Sequence, residues 1–340
     1  MGSVALFVPH VGCPQQCSFC DQRAITGGAQ PPTPWQVWQA AQAAASHLGQ
    51  QVKDTEIAFF GAALRPSPGA DARVAGPAKE AVERFGFRGL RCSTRPDAID
   101  GEVLSLLKAY HMVAVELGAQ SMDGEVLRRN RRGHSPEDTV RAAGLIRAAG
   151  LELGLQMMTG LYGSTPEKDV ETARALIALQ PATARVYPTV VLEGTHLAAL
   201  YRQGHYHPQT LEEAVALCAR LLPLFEEAGV RVIRVGLHAQ EDVERRRVAG
   251  PYHPAFRELV ESRLFLARLL PELEKQPPGA YAVRVCPRQL SVATGQKRCN
   301  VEALARRGYA VRFVPDASLA PGRFGVGPQE TRNEKGKQAQ

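Results

Sequence analysis

Three cysteines close to the amino terminus, Cys13, Cys17 and Cys20, lie in the run HVGCPQQCSFCDQRAITG with three and then two residues between them. Thiolates hold iron-sulfur clusters, and a cubane needs four ligands to be saturated. Three local cysteines therefore predict a 4Fe-4S cluster with one iron left open for another ligand. A zinc site asks for two closely spaced pairs, and no second Cys or His pair lies nearby. A structural disulfide has no support in a chain without a recognisable secretion signal. The remaining cysteines, Cys92, Cys218, Cys286 and Cys299, are too scattered to argue for a second cluster.

The elements that must position this loop are legible as alternating short apolar runs and amphipathic stretches. Strands are predicted at Ala5 to Val8, Ile57 to Gly61, Leu90 to Ser93, Val113 to Leu117, Leu153 to Met158, Ala184 to Tyr187 and Val230 to Gly236. Helices are predicted near Pro34 to His47, Ala70 to Phe85, Pro136 to Ala149, Pro166 to Leu179 and Leu211 to Ala228. Thr33 is placed to cap the first of these with Pro34 at its first position, and Gly150 and Gly229 fall where helices should stop. Strand alternating with helix implies a parallel sheet. In parallel barrels the reactive groups gather at the carboxy-terminal strand ends, and the cysteine loop follows the first predicted strand.

The cysteine spacing, with Phe19 just before the third cysteine, resembles the signature of the radical S-adenosylmethionine (SAM) superfamily. The runs CSTRPD, ELGAQSMDGEVL, RRGH, GLQMMTGLYGST and ARVYPTVVLEGT resemble the radical SAM domain of the elongator catalytic subunit, and AGPYHPAFRELVESRLF its extension in shorter bacterial relatives. The likeness covers about residues 4 to 270. It implies an α/β fold with a partial (β/α)6-type open parallel barrel, a 4Fe-4S cluster on Cys13, Cys17 and Cys20, and S-adenosyl-L-methionine on the open iron. It further implies cofactor contacts from Phe19, Gly61, Ala62, Ser93, Gln120, Arg132 and Gln156. Arg132 is matched to an arginine that pairs with the SAM carboxylate, a role that suits a planar guanidinium. At Ala62 the second glycine of the family's motif is replaced. Tyr187 is expected to line the cavity where substrate meets the radical, and an electron donor such as flavodoxin or ferredoxin is implied.

Charge is uneven along the chain. From Pro277 to Gln340 there are 11 Lys or Arg against 4 Asp or Glu, so this stretch carries the whole net charge of +7. A neutral body with a basic end fits a polyanionic partner. The run YAVRVCPRQLSVATGQKRCNVEALARRGYAVRFVPD reads as strand, short helix, basic loop, helix, strand. This order resembles a KH RNA-binding module, in which a Gly-x-x-Gly loop clamps nucleotide backbone. Gly295, Gln296, Lys297 and Arg298 occupy that loop here, with arginine in place of the second glycine.

The expected organisation is a radical SAM partial barrel over 1–236, a helical extension over 237–276, a KH-like small α+β module over 277–318 after a linker at Pro277 to Gly279, and a flexible basic tail over 319–340. Seven cysteines without a disulfide-like pattern point to a reducing compartment, and no run of about 18 apolar residues is present, so a cytoplasmic protein with no membrane span is expected. The favoured function is a radical SAM enzyme acting on RNA, with tRNA as the first choice by resemblance. About 70 residues follow the shared region, and no counterpart of the elongator subunit's acetyltransferase domain is expected. The alternatives are a radical SAM enzyme on a small acidic metabolite or tetrapyrrole, and a non-catalytic iron-sulfur RNA-binding protein.

Overall fold

A threonine or serine followed by proline marks where several helices of this chain begin. Before Pro34–Leu48 the Thr33 hydroxyl accepts from the Gln36 amide, and the Gln36 side chain returns to the Thr33 backbone. Ser135 and Asp138 form the same reciprocal cap before Pro136–Ala148, and Thr165 caps Pro166–Ala178. Each hydroxyl satisfies one of the amides that a helix start leaves without a partner, and proline at the first position has no amide to lose. Gly150 and Gly229 stop their helices at φ of 75° and 74°, a left-handed conformation that glycine adopts without a Cβ clash.

The computed structural model describes residues 2–8, 17–20, 32–60, 72–238 and 241–329. The strands that alternate with these helices are β1 (Gly2–Phe7), β2 (Thr55–Phe60), β3 (Gly89–Thr94), β4 (Met112–Gln120), β5 (Glu152–Thr159), β6 (Thr183–Pro188) and β8 (Arg231–Val235). They form one seven-stranded sheet in the order β1-β2-β3-β4-β5-β6-β8, parallel throughout and curled as a half-barrel. Parallel strands buried on both faces read as apolar runs, which is why they were visible in the sequence. A small antiparallel pair, β7 (Val191–Leu192) with β9 (Arg247–Ala249), lies beyond the sixth strand.

One property of this barrel differs from a layered apolar interior. Charged residues are embedded in the strands and pair with one another. Arg91 Nε donates to Glu56 at 2.6 Å, and Arg88 joins Glu56 to Glu152. Arg185 Nε donates to Glu116 at 2.6 Å, while the Arg185 guanidinium stacks 4.7 Å from the centre of the Phe60 ring. Glu56, Arg91, Glu116 and Arg185 are all buried. Buried charges persist only when paired and hydrogen-bonded, and each of these is.

The chain divides into two compact units, Met1–Pro254 and Ala255–Gln340. The sequence-based boundaries lie instead after residues 236, 276 and 318. The helix Phe256–Leu273, expected to belong to a separate extension, carries an apolar stripe of Phe265, Leu269 and Leu273 that is buried against Val283, Val285 and Val311. That spacing of four puts the three side chains on one helix face, so the helix belongs to the second unit. Pro277 and Pro278 are then the turn into β10 (Gly279–Val285) rather than a linker between bodies.

In the second unit β10 pairs in parallel with β11 (Tyr309–Pro315). Between them run the short helices Leu290–Thr294 and Cys299–Ala305 with the loop 295–298 at their junction. The stretch 324–328, expected within a flexible tail, forms β12 (Phe324–Pro328), antiparallel to β10. Phe324 packs on Phe265 with ring centres 5.6 Å apart. That contact gives the strand an apolar anchor despite its two glycines.

Candidate functional site

The cysteine turn is held by residues that come from later in the chain. Ser18 N donates to Asn130 O at 3.0 Å, and Ser18 Oγ donates to Asn130 Oδ1 at 2.7 Å. Leu197 N donates to Ser18 O at 2.7 Å, and Cys20 N closes the turn on Cys17 O at 3.1 Å. Asn130 in turn uses its amide to donate to Val126 O and Tyr162 O. Ser18 and Asn130 are fully buried, so this is a satisfied internal clamp rather than a surface contact.

Cys17 Sγ accepts from Arg132 Nη1 at 3.1 Å, and Arg132 Nη2 donates to Gly118 O at 2.5 Å. Arg95 Nη2 donates to the Arg132 carbonyl, and Arg95 is itself held by Asp97 at 2.9 Å. The Arg132 guanidinium lies 6.0 Å from the centre of the Phe19 ring, and Phe19 packs against Val191, Leu197 and Tyr206. Among the described residues Arg132 Nε has no hydrogen-bond partner although it is buried. An unsatisfied buried donor on a charged group is costly, and this one remains available to a further acceptor.

A second group of polar side chains lines the strands below. Gln120 adopts a left-handed φ of 66° at a register shift in β4, and its Oε1 accepts from Gln156 Nε2 at 3.5 Å. A Cβ on Gly118 would stand 3.0 Å from Gln120 Nε2 and 3.6 Å from Arg132 Nη2. Glycine at 118 therefore keeps this cradle open. Ser93 Oγ donates to Glu116 at 3.3 Å, and Arg185 Nη1 donates to Tyr187 at 3.3 Å. Burial raises the Tyr187 pKa, so its phenol stays protonated. Burial opposes the charge on Arg185, but Glu116 and Tyr187 together hold its pKa up.

The structure thus brings Cys17, Cys20, Phe19 and Arg132 together, and places Gln120 and Gln156 within reach of each other. Ser93 and Tyr187 belong to the Glu116–Arg185 network beside them. Cys13, Gly61 and Ala62 lie outside the described residues. Ser18, Asn130, Arg95, Glu116 and Arg185 were not singled out by the sequence reading. The signal for the last two was available, since each is a charge inside a run that is otherwise apolar, VAVELGA and ARVYP.

His134 also stands in this region. Burial first, then the nearby guanidinium charges of Arg132 and Arg95, lowers its pKa to about 4. The ring is neutral at physiological pH, with Nε2 donating to Ala119 O at 3.3 Å. It therefore acts as a packing and hydrogen-bonding group.

These observations agree with what comparison with known proteins gives. Residues 7–176, half of the chain, match the Radical SAM superfamily, and residues 181–265 match the Radical SAM C-terminal domain. The chain belongs to the Radical SAM superfamily, whose members are enzymes that use a 4Fe-4S cluster and SAM. It is similar to the tRNA uridine(34) acetyltransferase of Methanocaldococcus infernus, 34% identical over 125 residues, which make up 36% of this chain and 23% of that protein. Elongator complex protein 3 of Homo sapiens is 31% identical over 180 residues, 52% of this chain and 32% of the human protein. The chain therefore spans about a quarter to a third of the length of these curated relatives. Among solved structures, the archaeal Methanocaldococcus infernus Elp3 with an N-terminus deletion shares the fold with a TM-score of 0.60. That match has 21% identity and covers 81% of this chain and 62% of that one.

The residues present fit the superfamily's cofactors. Cys17 and Cys20 stand in one turn, and the guanidinium that donates to the Cys17 sulfur keeps a further donor without a partner. A sulfur-held cluster accepts such hydrogen bonds, and a carboxylate-bearing cofactor suits the remaining donor.

Proposed function

We propose that this chain is a radical SAM enzyme that modifies RNA, with tRNA as the substrate class. Cys13, Cys17 and Cys20 would hold the cluster, and Arg132, Gln120 and Gln156 would orient SAM. When bound, the cluster and SAM would supply one-electron, radical chemistry at the substrate. The chain's own contribution is positional. The Ser18–Asn130 clamp fixes the cysteine turn, the Arg132 guanidinium offers donors to sulfur and to a carboxylate, and the paired charges of Glu116 and Arg185 give the adjoining layer a fixed, polar surface. Reduction would come from a small electron-transfer protein of the flavodoxin or ferredoxin kind. Among the described residues no helix is long and apolar enough to cross a membrane, in keeping with action on RNA in the cytoplasm.

The observation that carries RNA as the substrate class is the loop of the second unit. Lys297 and Arg298 take consecutive left-handed conformations, φ 51° and 65°. Such backbone is costly for residues with a Cβ and persists where its surroundings hold it. The surroundings here are specific. Asn300 Nδ2 faces Ser262 O, Ser262 Oγ, Val292 O and Ala293 O, and so ties both short helices to the helix Phe256–Leu273. A Cβ on Gly295 would come within 2.9 Å of the Asn300 amide nitrogen, so only glycine fits there. The result is a rigid junction that presents two exposed basic side chains, and among the described residues neither has an acidic partner. The similarity to proteins named as tRNA uridine(34) acetyltransferases supports the same reading.

The test is tRNA binding by the full chain with Lys297 and Arg298 both replaced by Ala. Loss of two phosphate contacts should weaken binding across sequences and make the log–log salt slope shallower by about 1.4 if the strand is single, with the iron content unchanged. Identical affinity and slope would remove the loop as an RNA contact, and failure of the parent chain itself to bind tRNA would contradict RNA as the substrate class and favour a small acidic substrate.

A further inference from the structure

We infer that a second cleft of the carboxy-terminal unit, between the end of the helix Phe256–Leu273 and the edge strand β12, is a binding site for single-stranded RNA. It is separate from the loop 295–298. This extends the RNA reading above and rests on it.

The cleft has a volume of about 1190 Å³ and is lined by Arg268, Glu272, Lys275, Tyr281, Arg323 and Phe324 among others. Its charges do not cancel. Lys275 pairs with Glu272 at 2.8 Å, which neutralises the one carboxylate of the lining. Among the described residues neither Arg268 nor Arg323 has an acidic partner. Two guanidinium groups are left facing solvent in one concavity. This concentration of charge is local to the unit that carries it, because residues 255–340 hold 15 Lys or Arg against 8 Asp or Glu, an excess equal to the net charge of the whole chain.

The turn that carries Arg323 is fixed. Gly322 N donates to Gln289 Oε1 at 2.5 Å, and Arg323 N donates to Ala320 O at 3.1 Å, so the connection into β12 is tied down. Gly322 has φ of 83°, and a Cβ on it would stand 3.7 Å from Arg268 Nη1. The turn thus comes close to the Arg268 guanidinium, and Arg323 and Arg268 line the same cleft.

Basic groups alone would take any polyanion. The aromatic side chains of the same lining narrow the choice. Tyr281 is half-buried with its hydroxyl donating to Pro277 O at 2.7 Å, which fixes the ring. Phe324 is held by Phe265. Guanidinium groups interleaved with fixed aromatic rings are what a single strand uses, phosphates on the charges and bases on the rings. The helix whose Ser262 accepts from Asn300, two residues past the basic loop, also carries Arg268 and the turn to Lys275. From residue 262 to residue 275 is about 20 Å along a helix axis, so the two places are distinct.

The experiment uses the full chain and a fluorescein-labelled twelve-residue oligouridylate, titrated at several salt concentrations. Arg268→Ala with Arg323→Ala should weaken binding about tenfold and reduce the salt slope by about 1.4, while Arg268→Lys with Arg323→Lys keeps the slope. An unchanged affinity and slope in the double alanine variant, with the Lys297 and Arg298 double alanine variant weakened, would overturn the cleft and leave the RNA reading standing. Unchanged binding in both variants would overturn both. Dependence of an oligoglutamate peptide, but not of the oligouridylate, on Arg268 and Arg323 would also overturn the cleft as an RNA site.

Discussion

The Arg132 guanidinium donates to the Cys17 sulfur at 3.1 Å and to the Gly118 carbonyl at 2.5 Å, and so ties the cysteine turn to the fourth barrel strand. Charge, sulfur and strand end are linked by one side chain. A hydrogen bond from a guanidinium to a cluster sulfur favours the more negative, reduced cluster, since such bonds help set the potential.

Replacement of Arg132 by Ala is expected to weaken SAM binding to the anaerobically reconstituted protein by about 1.5–3 kcal/mol, the usual contribution of a hydrogen bond to a charged partner. The cluster midpoint potential should move to more negative values at the same time. Calorimetric titration with SAM and a redox titration followed by electron paramagnetic resonance check the two effects. Unchanged values in both would leave Arg132 as a structural tie only.

Asn130 is expected to govern how well the cysteine turn is formed. Its replacement by Ala leaves the buried Ser18 hydroxyl and the Tyr162 carbonyl without their partner, at a cost of about 1–3 kcal/mol. Reconstitution should give less bound iron per chain than the parent, with the circular dichroism of the barrel retained. Full iron loading would show that the turn forms without this clamp.

How much of this was legible in the sequence depends on whether the signal was local. The cysteine spacing and the Thr-Pro and Ser-Pro helix starts are local, and Arg132 stands in a motif. The Ser18–Asn130 clamp joins residues 112 positions apart, and no periodicity in the chain couples them. The interior pairs Glu56–Arg91 and Glu116–Arg185 are likewise cross-strand partners whose meeting depends on sheet register. β12 was hidden for a different reason. Its run FGVGP has two glycines and a proline, all poor strand residues, and its place in the sheet comes from pairing with β10 and from Phe324 on Phe265.

Asp169 sets a dependence of stability on pH. Burial raises its pKa to about 6, against the lowering effect of hydrogen bonds from Ser164 Oγ at 2.6 Å and Gly160 N at 2.8 Å. A carboxyl that holds its proton more tightly when folded stabilises the fold at low pH, and that advantage is lost as pH rises from about 4 to about 6. Asp169→Asn removes the titration. Relative to the wild type, the variant should gain about 1 kcal/mol between pH 5.0 and pH 7.5, read from urea unfolding of both proteins. The same stability difference at both pH values would contradict a raised Asp169 pKa.

The central claim, radical SAM chemistry directed at RNA, is tested most directly by 5′-deoxyadenosine formation from SAM by the anaerobically reconstituted, dithionite-reduced chain, measured with and without tRNA. The expected result is formation by the parent protein, stimulation by tRNA, and none from the protein with Cys13, Cys17 and Cys20 all replaced by Ala. A fully loaded parent protein that forms no 5′-deoxyadenosine in the presence or absence of tRNA would contradict the claim.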